Sequence, residues 1–405
     1  MNQLTKLKQY PNLGLILLAF IAFIALGLPD GLLGVGWPSI RADFNIPLDA
    51  IGLFLTAAVI GYMTSSFLSG YLLARVGVGP ILVTSCLFTG LALVGYTLVP
   101  YWLLMVLLGT LGGLGAGAID AGLNTYVATH FSEGLMQWLH ASWGIGITLG
   151  PLIMTLGLNL SHGWRLGYQI VAAFQFILAL GFLLTLRLWT ATSTTAPDPN
   201  ADTKLTDYQT PMTTTLRQPQ VWLSITLFFL YVGAETALGT WVYTLLTESR
   251  QVETTIAGIF TGSYWFTFTI GRITAGIFAS RLGSHKLVIG GLFGALFGTF
   301  LLIWNPTPIS NVIAVAIIGF FIAPIFPAMM SGTRYRVGPR YAANTIGMQV
   351  AATGFGTAII PTLMGTLARY LSLEAIPISL LFVYTSLILT YTLAILYPAS
   401  APAPT

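Results

Sequence analysis

Four formally charged side chains lie well inside long apolar stretches of this 405-residue chain: Asp30, Asp120, Glu235 and Arg272. A charge near the centre of a bilayer costs at least about 2.5–3.5 kcal/mol, so each is expected to face the protein interior and to have a function there. For the carboxyls that function is proton uptake and release, because the surroundings of a buried acid set its proton affinity. Asp120 and Asn124 are four residues apart and so share one face of a helix, about one turn from each other. An acid and an amide stacked in that way accept from and donate to a polyhydroxylated ligand. Asp30 lies in GLPDGLLG, after Pro29 and before Gly31, Gly34 and Gly36, where a kink is expected to expose the acid. His140, Ser142 and Trp143 are expected near the Asp120 end of the bilayer. Trp143, Trp241, Tyr264 and Trp265 are candidates to stack on the apolar face of such a ligand, with Trp265 the deepest. The structural alternative for the acids is a carboxylate satisfied by backbone amides or by Arg272, and for His140 an interhelical hydrogen-bond donor.

The elements that must hold these residues follow from composition. Charged residues make up 7% of the chain and hydrophobic ones 55%, against about 25% charged in a soluble globular protein. Apolar runs of roughly 20 residues, the length of a helix that crosses a bilayer, recur throughout. The short alternating segments of a β-barrel are absent from the sequence. This describes an all-α membrane protein of about twelve transmembrane helices, from 13–37, 49–73 and 79–99 through 342–369 and 375–397. The first run is long enough to span and has no small-residue cleavage site after it, so it is expected to be retained. Cys86 is the single cysteine, which excludes an intramolecular disulfide and a cysteine metal site. The net charge of +4 reports orientation rather than nucleic-acid binding. Counted by alternate loops, one side collects Lys6, Lys8, Arg75, Arg187, Lys204, Arg217, Arg281, Lys286, Arg334, Arg336 and Arg340. The other has Arg41, Arg165, Arg250 and Arg369. Both termini are therefore expected in the cytoplasm.

Residues 190–217 are rich in Thr, Pro and Asp and are expected to form a flexible cytoplasmic linker between bundles 1–189 and 218–397, with 398–405 a disordered tail. The halves repeat. GYLLARVGVGP from Gly70 matches GIFASRLGSHK from Gly276 at an offset of 206, pairing Arg75 with Arg281 and Gly77 with Gly283. Asp30 and Gly34 fall on Glu235 and Gly239, and GITLGP from Gly146 falls on GTAIIP from Gly356. Parallel six-helix repeats of this kind carry a substrate site between them near the bilayer midplane.

On these residues the chain resembles the major facilitator superfamily of transporters over nearly its whole length. Gly70, Arg75 and Gly77 stand in that family's Gly-x-x-x-Asp-Arg-x-Gly-Arg-Lys gate motif, with Ala74 in place of the acid and Val78 and Gly79 in place of the basic pair. Asp30 late in the first helix, and Asp120 followed by Asn124 in the fourth, resemble the fucose permease branch of sugar and proton symporters. FLYVGAETALGTW, 229–241, is similar to the start of that branch's second half. GITLGP resembles part of the fifth-helix motif of antiporters in the same superfamily, but its continuation LIMT lacks that motif's further glycines, which favours symport.

The resemblance implies a sugar or similar polar solute moved by alternating access and driven by a proton gradient, with no other cofactor. Asp30, Asp120 and Glu235 would couple protons. Asp120, Asn124, His140, Trp143, Trp265 and Glu235 would touch solute. Gly70, Arg75, Gly77, Arg272, Gly276, Arg281 and Gly283 would gate or support. The expected setting is a monomer in the plasma or inner membrane. Two alternatives stand beside this reading: an antiporter exporting an apolar drug or lipid, and a receptor that kept the fold without transporting. No phosphate-binding loop, zinc motif or nucleophile elbow occurs in the sequence, and the four scattered histidines offer no metal cage, so neither an enzyme nor an ATP-driven pump is expected.

Overall fold

The computed structural model describes residues 13–130, 133–161, 163–189 and 210–397. In hydrocarbon each backbone N–H and C=O must bond within its own segment, and the apolar runs accordingly fold as helices. These are α1 (Leu13–Phe44), α2 (Ile51–Val76), α3 (Val78–Leu98), α4 (Trp102–His130), α5 (Glu133–Ser161), α6 (Arg165–Leu184), α7 (Pro219–Thr244), α8 (Thr254–Trp304), α9 (Pro308–Ile322), α10 (Ile325–Ser331), α11 (Pro339–Tyr370) and α12 (Ala375–Leu396). Among the described residues there is no strand, and eleven helical stretches are long and apolar enough to cross a membrane. α8 is interrupted at Gly283, whose φ of 76° and ψ of 154° are not helical. With its two parts counted separately, and α9 and α10 counted together as the run 308–333, the helices number the twelve expected from the sequence. The run 308–333, read as one span, is divided: Ala323 and Pro324 separate α9 from α10, at a proline that has no N–H for the helical ladder. α1 remains one element through Pro29 and Pro38.

By packing, the described residues of 1–33 and 60–196 form one unit, and those of 34–59 and 197–405 a second. The division therefore runs through α1 and α2. In the first unit α3 packs on α4 and α6, and a core around Phe23, Leu82, Cys86, Leu123 and Phe182 is closed by Trp189, whose ring lies 4.7 Å from that of Tyr126. In the second, α7 packs on α11 and α8 on α9. The linker expected at 190–217 lies outside the described residues as far as 209, and Met212–Leu216 is a short helix. The tail 398–405 lies outside them entirely.

The internal repeat is visible in the backbone. Gly77, after α2, has φ 80° and ψ 173°, close to the angles of its counterpart Gly283. That region of φ/ψ space is essentially restricted to glycine, which explains why both halves keep it after the arginine. Gly283→Ala is expected to lower stability by about 1–3 kcal/mol through backbone strain. Gly290→Ala, where a Cβ meets nothing within 4 Å, is expected to be neutral or stabilising by about 0.5–1 kcal/mol. Thermal melts in detergent compare the two.

The four arginines assigned by charge counting to the sparse side are all engaged. Arg41 pairs with Glu248, and Arg369 Nη1 lies 3.0 Å from Asp49 Oδ1. Arg165 lies over the Trp164 ring and donates to Thr97 O at 3.3 Å. Arg250 donates from Nε and Nη2 to both oxygens of Glu374, at 3.0 and 2.7 Å, and also to Asn311 and to Leu302 O. These bonds hold the Glu374 carboxyl below its ordinary value of 4.5. A carboxyl depressed in the folded state contributes stability that is complete above its unfolded value and is lost as pH falls through the folded one. Acid melts are therefore expected to lose stability below about pH 4.5 less steeply in Arg250→Leu, which removes the partner, than in the unaltered chain. Glu374→Gln is expected to flatten the same limb.

Candidate functional site

The polar cluster in the first unit is built by two backbone-to-backbone helix contacts. The first joins α1 and α5. A Cβ on Gly27 would lie 2.4 Å from Trp143 O, and one on Gly31 would lie 2.5 Å from Ile147 O. The reciprocal glycines are Gly146, whose Cβ would lie 2.0 Å from Ile24 O, and Gly150, whose Cβ would lie 2.7 Å from Leu28 O. Small residues four apart let two membrane helices approach closely, and here they do so on both sides of Asp30. The second contact joins α2 and α4. A Cβ on Gly117, one of the glycines in the fourth-helix stripe, would lie 2.3 Å from Tyr62 O and 2.4 Å from Ser65 Oγ. That sets α2 one turn from Asp120.

With the four helices so placed, the side chains of Asp30, Asp120, Asn124, His140 and Trp143 converge. Asn124 Nδ2 donates to Asp120 Oδ1 at 2.9 Å, and the Tyr62 hydroxyl donates to Asp120 Oδ2. Trp143 offers its indole N–H to the Asp30 carboxyl, and Asp30 and Asp120 act on each other electrostatically. His140 acts on Asp120 in the same way and meets Phe23 edge to face at 5.5 Å. Asp30 and His140 are exposed, and Tyr62, Asp120, Asn124 and Trp143 are half-buried. Charged and amide groups at mid-helix that remain accessible must meet water or solute rather than lipid. Two carboxyls, an amide, an imidazole, an indole N–H and a phenol thus present acceptors and donors on one accessible surface.

Tyr62 is the member that sequence reasoning missed. It sits in the apolar run LFLTAAVIGYMTSSF, where a tyrosine reads as a core residue. The signal that could have found it is the glycine stripe on α4, which has to pack against some helix carrying a partner for Asp120.

Glu235, Arg272 and Trp265 come together in the second unit, in a different environment. Glu235 on α7 is 8% exposed, and among the described residues its Oε2 accepts no hydrogen bond. Arg272 on α8 lies over the Phe268 ring at 4.5 Å and acts on Glu235 electrostatically. Tyr264 donates to the backbone oxygen of Glu235 at 2.9 Å. Trp265 is 5% exposed, packed against the Gly239 backbone with its ring 4.6 Å from Tyr264, so it is a core residue in this state. Trp241 is fully buried and donates to Pro361 O at 2.9 Å. Of the residues in the repeated glycine–arginine motif, Gly70, Arg75 and Gly77 lie at the end of α2 and Gly276, Arg281 and Gly283 in α8, and Arg75, Gly276, Arg281 and Gly283 are exposed. Among the described residues no cluster of His, Cys, Asp and Glu could hold a metal ion.

Long membrane-crossing helices in a duplicated pattern, with accessible acids at mid-span, define a polytopic membrane transporter. The chain belongs to the Major Facilitator Superfamily, whose family model matches residues 15–361 and 243–405. It is 23% identical to bypass of stop codon protein 6 of Saccharomyces cerevisiae, over 92% of this chain and 82% of that protein. It is 22% identical to the glucose/mannose transporter GlcP of Bacillus subtilis, over 87% of each. Among solved structures, the nucleoside transporter NupG superposes with a TM-score of 0.76 at 15% identity, covering 95% of this chain and all of that one, a likeness of fold.

Gly117→Ala is expected to destabilise by about 1–3 kcal/mol, because the added methyl meets backbone that cannot move aside without separating α2 from α4. Gly181→Ala, whose Cβ meets only a leucine methyl at 3.4 Å, is expected to be close to neutral. Melting temperatures of the two purified variants test the contact.

Proposed function

We propose that the protein moves a sugar or a similar small polar solute across the membrane by proton-coupled symport. The observation that carries this reading is the cluster of Asp30, Asp120, Asn124, His140 and Trp143, with Tyr62, in which two acids within each other's field stand beside donors and acceptors suited to hydroxyl groups. Solute meets Asp120, Asn124, His140 and Trp143, while Asp30 and Asp120 exchange protons. Glu235, beside Arg272, is a further proton-exchanging group in the second half. The relation to a glucose/mannose transporter supports a sugar as solute. The accessibility of Asp30 favours this reading over the export of an apolar drug, for which an acid buried against backbone is expected. The protein works as a monomer in the plasma or inner membrane with both termini in the cytoplasm, its bundles 1–189 and 218–397 joined through 190–217.

The test uses protein reconstituted in liposomes that enclose a pH-sensitive dye, offered D-glucose, D-mannose, a nucleoside and a sugar acid in turn. A sugar is expected to drive proton uptake, and Asp30→Asn and Asp120→Asn are each expected to abolish it. Full proton uptake in both variants removes these acids from coupling. Uptake that follows sodium and ignores pH replaces the coupling ion.

A further inference from the structure

Pro29 has no N–H, so the carbonyl four residues earlier, Ala25 O, loses its helical donor. Within hydrocarbon such a carbonyl cannot turn to water and must find a donor inside the protein. α1 nevertheless continues as one helix across this point. The missing donor comes from α6, where Gln175 Nε2 donates to Ala25 O at 2.8 Å.

Gln175 is 2% exposed, and its neighbours one turn along α6, Leu178 and Ala179, belong to the apolar core of the first unit, as does Ala25. Its Oε1 accepts from no group among the described residues. A buried amide with half its hydrogen-bonding capacity idle is costly, and an apolar side chain of the same length would avoid that cost. The bond to Ala25 O is what a glutamine supplies here and an apolar residue does not.

That bond falls where it governs Asp30, which follows Pro29 directly. Gly27 is two residues from Ala25 and hence about 200° around the helix. α5 therefore grips α1 at Gly27 and Gly31, while α6 holds it from nearly the opposite side. At the offset of 205 that pairs Asp30 with Glu235, Pro29 falls on Ala234, which has its N–H, so no carbonyl is freed at the matching place in α7.

We propose that Gln175 is a positioning residue for Asp30: by replacing the hydrogen bond that Pro29 deletes, it fixes how α1 continues past the proline and so holds the Asp30 carboxyl in its exposed place. The inference rests on the reading of Asp30 as a proton-exchanging group. Without the amide, Ala25 O is satisfied only if α1 bends or shifts toward another donor, and Asp30 moves with it.

The test is a double-mutant cycle on the purified full-length protein and needs no solute. Infrared difference spectra recorded against pH follow the Asp30 carboxyl band, assigned by its loss in Asp30→Asn, and thermal melts follow stability. The groups that face Asp30, namely Trp143 from α5, Asp120 from α4 and Tyr62 from α2, are left unaltered. Gln175→Met, which keeps the length and removes the amide, is expected to lower the melting temperature and to displace the Asp30 midpoint by about half a pH unit or more, as the acid's hydrogen bonding and hydration change. Pro29→Ala returns an N–H to Ala25 O, and in that background Gln175→Met is expected to move neither quantity further. An Asp30 midpoint that Gln175→Met leaves in place overturns the inference even if the melting temperature falls, as do displacements that are the same with and without Pro29→Ala. Should Gln175→Met fail to fold, recovery of folding in the double variant with Pro29→Ala supports the inference, and failure there too overturns it. Absence of solute-driven proton movement in the unaltered protein counts against symport and leaves the cycle readable on its own.

Discussion

A carboxylate in hydrocarbon has to be met by donors, and all but one of the donors around Asp30 and Asp120 sit on other helices. Trp143 comes from α5, Tyr62 from α2, and Asn124 from one turn further along α4. Side chains reach only so far, so the requirement becomes one on helix separation. Gly27 and Gly31 against Gly146 and Gly150 meet it for α1 and α5, and Gly117 meets it for α2 and α4. The polar cluster and the missing side chains are thus two aspects of one constraint: helices can share a charge only where their backbones touch.

The duplicated half keeps the contact and changes its cargo. Gly356 on α11 lies against Phe229 O and the Gly233 amide of α7, as Gly146 lies against Ile24 O and Gly27 in the first half. Pro151 and Pro361 occupy matching places one turn further on. Asp30 is nevertheless exposed beside an indole, whereas Glu235 is enclosed by Tyr231, Tyr264 and Arg272. The two carboxyls therefore meet different surroundings, one walled by two tyrosines and an arginine and one open beside an indole. Packing geometry has been inherited by both halves while the chemistry has diverged.

Much of this was legible from residue types alone. Charge depletion and run length gave the helices, and the four-residue spacing of Asp120 and Asn124 gave their shared face. The repeated glycine after Arg75 and Arg281 marked two turns with matching backbone angles. What escaped was anything decided by which helix meets which. Tyr62 carries no mark of its role, because its hydroxyl becomes informative only once Gly117 has brought α4 against α2. Trp265 is equally silent about whether it faces solute, and its burial follows from the absence of a side chain at Gly239 on the neighbouring helix. GITLGP resembled a mechanistic motif, yet in this chain its glycines serve as the surface on which α1 rests. The break at Ala323 and Pro324 was masked by a hydropathy that stays high across it.

The paired arginines also bear on how the chain comes to be assembled. Arg41 and its partner Glu248 are 207 positions apart in sequence. At roughly 5–20 residues per second, a ribosome needs about 10–40 s to make that stretch, so Arg41 enters the membrane long before its counter-charge exists. The same holds for Asp49, whose partner Arg369 is made later still. The adjoining ends of α1 and α2 thus carry charges of opposite sign whose folded-state partners belong to the second half of the chain. Synthesis order therefore means that neither ion pair can close before the second half of the chain is made.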